Sequence, residues 1–201
     1  MTKEMHVSFI LDESGSMQSC KDATISGFNE YVQELQKDTE TTYTMTFTKF
    51  NTTKVETVFS NKPLSEVPFL TQDTFIPDAM TPLYDAIGKV INEVDNTKEN
   101  VLCVIVSDGQ ENSSREFTID SAKSLITEKE KGSWKFMYLG ANQDAWQVGH
   151  GIGTLSNANF DTSKMASNLR GAGMGTVAFA ATNNMDTAMN ARKEEYDKSN
   201  D

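Results

Sequence analysis

The sequence predicts a three-layer α/β fold, in which helices cover both faces of a mostly parallel sheet of about six strands. Two apolar runs, 7–11 and 101–106, have the length of strands and no regular alternation of polar residues, which is typical of strands buried on both faces. Amphipathic stretches with helical spacing alternate with the strand-like runs, as in parallel α/β proteins. Each apolar run leads into an acidic residue, Asp12 or Asp108, at the end where such sheets bind ligands.

The elements can be assigned in chain order. Residues 21–36 predict a helix because their apolar residues recur at helical spacing. Residues 43–50 and 54–59 predict two strands joined by the turn Asn51-Thr52, and this hairpin would place one antiparallel strand at an edge of the sheet. The remaining predictions are an irregular segment at 60–80, a helix starting at Thr81-Pro82, a strand at 101–106, a helix at 118–131, a strand at 134–139, a short helix at 144–149 and a short strand at 159–161.

The C-terminal part of the chain follows a different pattern. We divide the chain into a domain at 1–161 and a C-terminal helical extension at 162–201, which can pack on the same domain. The glycine-rich stretch 171–175 should interrupt the helical pattern. It favours a flexible connection over a phosphate-binding loop, since no clear strand precedes it and no Lys-Ser/Thr pair follows. The charged residues from Arg192 onward are expected to fray.

Composition excludes several classes of partner. The chain of 201 residues has a net charge of −11, with 29 acidic and 18 basic residues. This balance argues against nucleic acid and against an anionic membrane surface, because both attract basic faces. No apolar run reaches the length of a transmembrane helix, and the polar N-terminus lacks the form of a signal peptide. Together with two cysteines expected to be free thiols, this predicts a cytoplasmic protein.

The loop after the first strand carries the strongest chemical signal. Asp12, Ser14 and Ser16 place oxygen-bearing side chains at alternate positions, and Gly15 permits a tight turn between the serines. A carboxylate with two hydroxyls suits a hard divalent cation such as Mg2+. The alternative is a polar turn that caps the following helix. Thr81 has a similar second interpretation, as the N-cap of the helix that begins at Pro82.

Three separated segments together resemble the von Willebrand factor type A domain. These segments are Asp12-x-Ser14-x-Ser16, Thr81 and Asp108-Gly109, and the resemblance covers roughly residues 5–160. It implies a Rossmann-like sandwich and a metal-ion-dependent adhesion site. Family members often have glycines just before the threonine, where this chain has Ala79-Met80. The tail resembles that of small bacterial and phage members, which would place a phage-encoded protein in the host cytoplasm.

The resemblance also implies a role for each matched residue. Ser14, Ser16 and Thr81 would bind the metal through their hydroxyls, while Asp12 and Asp108 would act mostly through bound water. The expected metal is Mg2+, with Mn2+ and Ca2+ as alternatives. One coordination position would remain for an Asp or Glu side chain of a protein partner. The sequence leaves the identity of that partner and the oligomeric state open.

Three functions compete at this site. The leading hypothesis is a non-enzymatic protein-binding module, and we assign no catalytic residue. The alternative is a metal-dependent hydrolase or phosphotransferase that uses Asp12 and Asp108. His6 and His150 do not fall in a strand-end loop beside these acids, so the sequence supplies no general base or acid. A third hypothesis is a domain that keeps the scaffold without the metal.

Two surfaces compete as the binding face for a partner. If the metal engages the partner, the loops 13–20, 74–81 and 110–115 should set specificity, because they surround the predicted ligands. The competing surface is the Ala- and Met-rich C-terminal segment, whose flexible Met side chains could pack on an apolar groove.

Overall fold

A computed structural model describes residues 3–94, 99–141, 145–154 and 156–198. Its strands are β1 (Lys3–Asp12), β2 (Thr41–Asn51), β3 (Lys54–Pro63), β4 (Val101–Ser107), β5 (Trp134–Ala141) and β6 (Ser156–Phe160). Its helices are α1 (Lys21–Lys37), α2 (Leu83–Glu93), α3 (Ile119–Glu130), α4 (Ala145–Gly151), α5 (Met165–Thr182) and α6 (Met185–Lys198). No helix in the described ranges is long and apolar enough to cross a membrane. The predicted start of the short helix, at 144, lies outside the described residues.

The six strands form one sheet in the order β3-β2-β1-β4-β5-β6. Every neighbouring pair is parallel except β2 and β3, which confirms the predicted mostly parallel sheet with one antiparallel edge. β3 continues to Pro63, past the predicted end of that strand. At the centre, Leu11 of β1 pairs with Val106 of β4, so the carboxyl ends of these two strands lie side by side. The topology therefore brings the loops after Asp12 and Ser107 together.

Alternating side chains of the sheet pack against two helical layers. On one face, Val7, Phe9 and Leu11 of β1 join a buried core with α1 and α5. The ring of Phe9 lies 5.0 Å from that of Tyr31 in an edge-to-face contact, which adds to the burial energy. On the other face, Ile10 and residues of β4 pack against α2 and α3. The predicted three-layer sandwich is confirmed.

The C-terminal helices correct two expectations. α5 continues unbroken through the glycine-rich stretch 171–175, which is therefore neither a flexible connection nor a phosphate-binding loop. A Cβ on Gly171 would lie 2.6 Å from the carbonyl oxygen of Arg192, and one on Gly175 would lie 2.7 Å from that of Ala188. The glycines thus allow the α5 and α6 backbones to approach closely. α6 extends to Lys198, and Arg192 is buried against Asn168, so the chain does not fray at Arg192.

The two C-terminal helices pack on the same core as the strands. Phe179 and Ala188 are buried in the core that contains Phe9, and the Tyr31 hydroxyl lies 2.9 Å from Thr176 Oγ1. α5 and α6 therefore complete the layer that α1 begins. The division of the chain at 161 stays a prediction.

The close helix contact predicts a steric effect of a single methyl group. Gly171→Ala should lower the free energy of unfolding by about 1–3 kcal/mol, because the added Cβ would overlap backbone that cannot rotate away. Urea unfolding measures the change. Gly132→Ala is the matched control, since its Cβ would lie at an ordinary 3.5 Å from the nearest carbonyl oxygen. Equal stability of the two variants would contradict the packing described here.

Candidate metal-binding site

Asp12 ends β1 with a side chain that is completely buried. Its Oδ1 accepts a hydrogen bond from the Ser14 amide at 2.7 Å, and its Oδ2 accepts one from Ser107 Oγ at 2.5 Å. Ser107 belongs to β4 and also accepts from the Gly109 amide at 3.2 Å. Both carboxylate oxygens are therefore held by donors that come from two adjacent strand ends. The sequence analysis missed Ser107, although it directly precedes Asp108.

The two motif serines link Asp12 to Asp108. Ser14 Oγ lies 3.2 Å from Ser16 Oγ, and Ser16 Oγ donates to Asp108 Oδ1 at 2.6 Å. Ser14 is buried, whereas Ser16 is exposed. A continuous chain of polar contacts thus runs from β1 to the loop after β4 and ends at the surface.

Thr81 joins this group from a third segment. α2 begins at Leu83 without a side-chain cap, so the prediction that Thr81 caps this helix is wrong. Instead, the Thr81 amide donates to Asn112 Oδ1 at 2.9 Å, and the Asn112 amide donates to the Thr81 carbonyl at 3.1 Å. A Cβ on Gly109 would lie 2.8 Å from Thr81 Oγ1 and 3.4 Å from Ser16 Oγ, so both hydroxyls border the same small space. Among the described residues, Thr81 Oγ1 has no hydrogen-bond partner.

The donor set fits a hard divalent cation. Neighbouring ligands in a regular octahedral Mg2+ site lie about 3 Å apart, and the Ser14 and Ser16 hydroxyl oxygens lie 3.2 Å apart. Within the described ranges, no group of three or more His, Cys, Asp or Glu side chains could hold a metal ion. The candidate site instead combines two carboxylates, of Asp12 and Asp108, with the three hydroxyls of Ser14, Ser16 and Thr81. The structure brings all five predicted residues to one end of the sheet.

Burial makes this cluster electrostatically unfavourable without a cation. The pKa of Asp12 is raised from its ordinary value of 3.8 to about 6, mainly by desolvation and to a smaller extent by the nearby Asp108. Hydrogen bonds from Ser107 and Ser14 oppose this shift. Burial also raises the pKa of Asp108. A bound cation would relieve the cost of holding both acids ionised in this region.

Glu13 is a buried residue that the sequence analysis assigned to the surface loop 13–20. Its carboxylate Oε1 accepts from Lys49 Nζ at 2.7 Å and from the Ile76 amide at 2.8 Å. Glu13 therefore faces the interior beside β2 and is not available to a partner. Of the other residues in this loop, Gly15, Ser16, Gln18 and Ser19 are exposed. No sequence pattern pairs Glu13 with Lys49, because the two lie in different elements.

Ala79 adopts a left-handed conformation two residues before Thr81. Its φ of 64° is a region that glycine occupies readily and alanine does not. The Gly15 amide donates to the Ala79 carbonyl at 3.0 Å, and the Asp78 amide donates to the Glu13 carbonyl at 2.9 Å. The backbone thus keeps a glycine-like turn here without glycine.

Comparisons with solved structures agree with this architecture. A protein described as von Willebrand factor type A from Catenulispora acidiphila matches over 88% of this chain, with a TM-score of 0.65 and 13% identity. The von Willebrand factor domain of the type V pilus tip protein Mfa5 from Porphyromonas gingivalis matches over 86% of this chain and 95% of its own, with a TM-score of 0.62 and 10% identity. The chain has the von Willebrand factor type A fold.

Other matches are to parts of longer chains. The PilB minor pilin from Streptococcus sanguinis matches over 98% of this chain and 61% of its own, with a TM-score of 0.59 and 11% identity. This chain spans 43% of the length of the Catenulispora protein. No family model and no curated protein matches the sequence. At identities this low, the likeness concerns the type A fold, and the metal, its ligands and the partner remain predictions.

The buried carboxylate predicts a stability change with a defined pH dependence. With chelator present at pH 7, Asp12→Asn should raise the free energy of unfolding by about 1–3 kcal/mol. Because the pKa of Asp12 is raised, the native protein loses stability as the pH rises from 3.8 to about 6, and the amide escapes this loss. Urea unfolding should therefore show a large gain at pH 7 and a small one at pH 4. A variant less stable than the parent at pH 7 would refute this electrostatic account.

Because Ala79 is strained, replacing it with glycine should stabilise the protein, whereas the same replacement inside a helix should destabilise it. Ala79→Gly should raise the free energy of unfolding by up to about 1 kcal/mol, because glycine relieves the left-handed strain more than it costs in entropy. Ala23→Gly inside α1 is the control and should lower it by about 1 kcal/mol. Thermal unfolding compares the two variants. If both lose stability equally, Ala79 is not strained.

Proposed function

We propose that this chain is a non-enzymatic protein-binding module that holds Mg2+ and engages an Asp or Glu side chain of its partner. The proposed ligands are Asp12, Ser14, Ser16, Thr81 and Asp108. The observation that carries the proposal is the chain of polar contacts that joins Asp12, Ser14, Ser16 and Asp108 at the carboxyl ends of β1 and β4, with Thr81 Oγ1 bordering the same space beside Gly109. Mn2+ and Ca2+ are alternatives, since both accept oxygen ligands.

The hydrogen bonds of Asp12 support different roles for carboxylates and hydroxyls. Both oxygens of Asp12 already accept bonds from Ser14 and Ser107, so this acid would act on the cation through water. Ser14, Ser16 and Thr81 would supply direct ligands through their hydroxyl oxygens. When bound, the cation would supply Lewis acidity and positive charge at this surface.

Charge balance supports an acidic group on the partner. Two carboxylates that act mainly through water leave a divalent cation open to a further anionic ligand. The net charge of −11 would repel an acidic partner elsewhere on the surface, so the cation would supply most of the attraction. Beside the site, Ile76 and Met80 are 60% and 50% exposed and would contact the side chains that flank the partner's acid.

The hydrolase or phosphotransferase alternative has less support. Asp12 is buried, and each of its carboxylate oxygens already accepts a hydrogen bond from the protein, so it is not placed as an exposed nucleophile. His6 is buried at the other end of β1, where its Nδ1 lies 2.8 Å from Thr44 Oγ1. Neither geometry suits a nucleophile with an adjacent base.

The competing surface on the C-terminal segment also has less support. Met165 is buried, and Met185 and Met189 pack partly buried against the main core. Deleting 176–201 would remove Phe179 and Ala188 from that core, so such a truncation would unfold the protein rather than test a binding surface.

A reducing compartment forms part of the proposal. Cys20 and Cys103 are both free and buried, as expected of thiols in a cytoplasmic protein. The cytoplasm, including that of a host cell for a phage-encoded protein, therefore remains our proposed location.

The proposal predicts that two hydroxyl deletions weaken cation binding. Ser14→Ala and Thr81→Ala should each raise the Kd for Mg2+ about tenfold or more, because each would remove a direct ligand. Isothermal titration of the purified protein with Mg2+ measures the Kd. Ser124→Ala in α3 removes an exposed hydroxyl that bonds within its own helix and should leave the Kd unchanged. Millimolar Mg2+ without any heat or stability change in the parent protein would refute the metal site.

The partner should depend on the same cation. Affinity capture from the native host, with the full chain as bait, should recover a protein that is lost with chelator and lost with Thr81→Ala. Restoring Mg2+ should restore capture. A partner retained equally in chelator would contradict binding through the metal.

A further inference from the structure

We infer that the buried ion pair between Glu13 and Lys49 positions the segment 74–80 and thereby sets the affinity of the site for Mg2+. Glu13 and Lys49 would be positioning residues, since they act on the ligands through the backbone. The inference rests on the proposed function, because the affinity concerned is that of the proposed cation site.

The ion pair contacts the segment with both of its side chains. Glu13 and Lys49 are 2% and 9% exposed at their side chains, and the atoms Oε1 and Nζ lie 2.7 Å apart. Lys49 Nζ also donates to the Thr74 carbonyl at 2.6 Å, while the Ile76 amide donates to Glu13 Oε1 at 2.8 Å. The pair thus binds the segment at two positions along its backbone.

Two backbone bonds continue this attachment to the motif loop. The Asp78 amide donates to the Glu13 carbonyl at 2.9 Å, and the Gly15 amide donates to the Ala79 carbonyl at 3.0 Å. A Cβ on Gly15 would already lie 3.3 Å from the Ala79 carbonyl oxygen, so the two backbones are in close contact. The ion pair and these bonds together form one row that joins loop 13–15 to segment 74–80.

Both ends of this row lead directly to proposed ligands. Gly15 lies between Ser14 and Ser16, and the segment 74–80 leads into Thr81. Ala79 occupies a strained left-handed conformation, which persists only when its surroundings hold it. Release of the row would let Ala79 relax and would move Thr81 relative to the two serines. Mg2+ demands near-ideal octahedral geometry, so its affinity would fall.

Stability alone gives little reason to bury this pair. Desolvation offsets most of the attraction in a buried ion pair, and apolar residues of similar size often serve the stability of a fold equally well. A charged pair that also binds two backbone groups gives a defined geometry, which apolar side chains cannot supply. This difference makes positioning separable from stability by experiment.

The test replaces the pair with apolar residues and compares charge-matched variants. Glu13→Leu/Lys49→Met keeps the net charge and removes both attachments to the segment. Lys49→Met alone removes one positive charge, as does the control Lys54→Met. Lys49 and Lys54 line the same cavity of about 470 Å³, but the hydrogen bond and the ion pair of the Lys54 side chain go to Glu56 at the surface. Titration calorimetry with Mg2+ gives the Kd, and amide hydrogen exchange without metal reports on Gly15 and Asp78.

For Lys49→Met, an electrostatic effect and a positioning effect would change the Kd for Mg2+ in opposite directions. Loss of a lysine makes the region more negative, so electrostatics alone would tighten Mg2+ binding in both single variants. Positioning predicts a Kd raised tenfold or more for Lys49→Met and for the double variant, with Lys54→Met unchanged or tighter. It also predicts faster exchange at Gly15 and Asp78 in the double variant, with exchange in the core of β4 unchanged.

The outcomes separate this inference from the proposed function. If the parent protein binds Mg2+ and the double variant binds it equally well, the inference is overturned and the proposed function stands. If Lys49→Met does not fold, the double variant still decides, because it leaves no unpaired buried charge. If the parent itself does not bind Mg2+, the proposed function fails and the affinity statement fails with it.

Discussion

The buried carboxylate of Asp12 is the group on which the site depends. A carboxylate at the end of a central strand costs free energy unless donors or a cation compensate for lost water. Two donors compensate for that water in this fold, the Ser14 amide and the Ser107 hydroxyl, and each bonds one oxygen of the carboxylate. These bonds fix the turn that carries Ser14 and Ser16, and they tie it to the loop that carries Asp108. The arrangement of Ser14, Ser16 and Asp108 therefore depends on the buried carboxylate of Asp12.

The sequence predicted the features that depend on local pattern. Apolar runs and helical spacing were sufficient to place the central strands, the antiparallel edge and the helix α1, because burial imposes these periods directly. The convergence of Asp12 and Asp108 was also predictable, since parallel strands end at the same edge. The von Willebrand factor type A fold thus follows from few residues, although the solved structures that share it are only 10 to 13% identical to this chain.

Other features depended on contacts that no local pattern records. The glycines at 171–175 suggested a break in the helix, but their function is to let two helices touch, which is a property of the pair. Glu13 seemed a surface residue because it lies in a polar motif, and its partner Lys49 lies at the end of another strand. Ala79 replaced an expected glycine, yet the backbone kept the turn that glycine would favour. Tertiary contacts decided each of these cases: close backbone packing at the glycines, and hydrogen bonds at Glu13 and Ala79.

The packing of α5 and α6 on α1 has a consequence for how the chain folds during its synthesis. The core around Phe9 and Phe28 includes Phe179 and Ala188, which leave the ribosome much later. Until then, the face of α1 that packs on α5 has no cover. Contacts between such distant parts of a chain form slowly, and exposed apolar strands are prone to association. The nascent chain therefore exposes apolar surface on this side of the sheet until its last two helices are made.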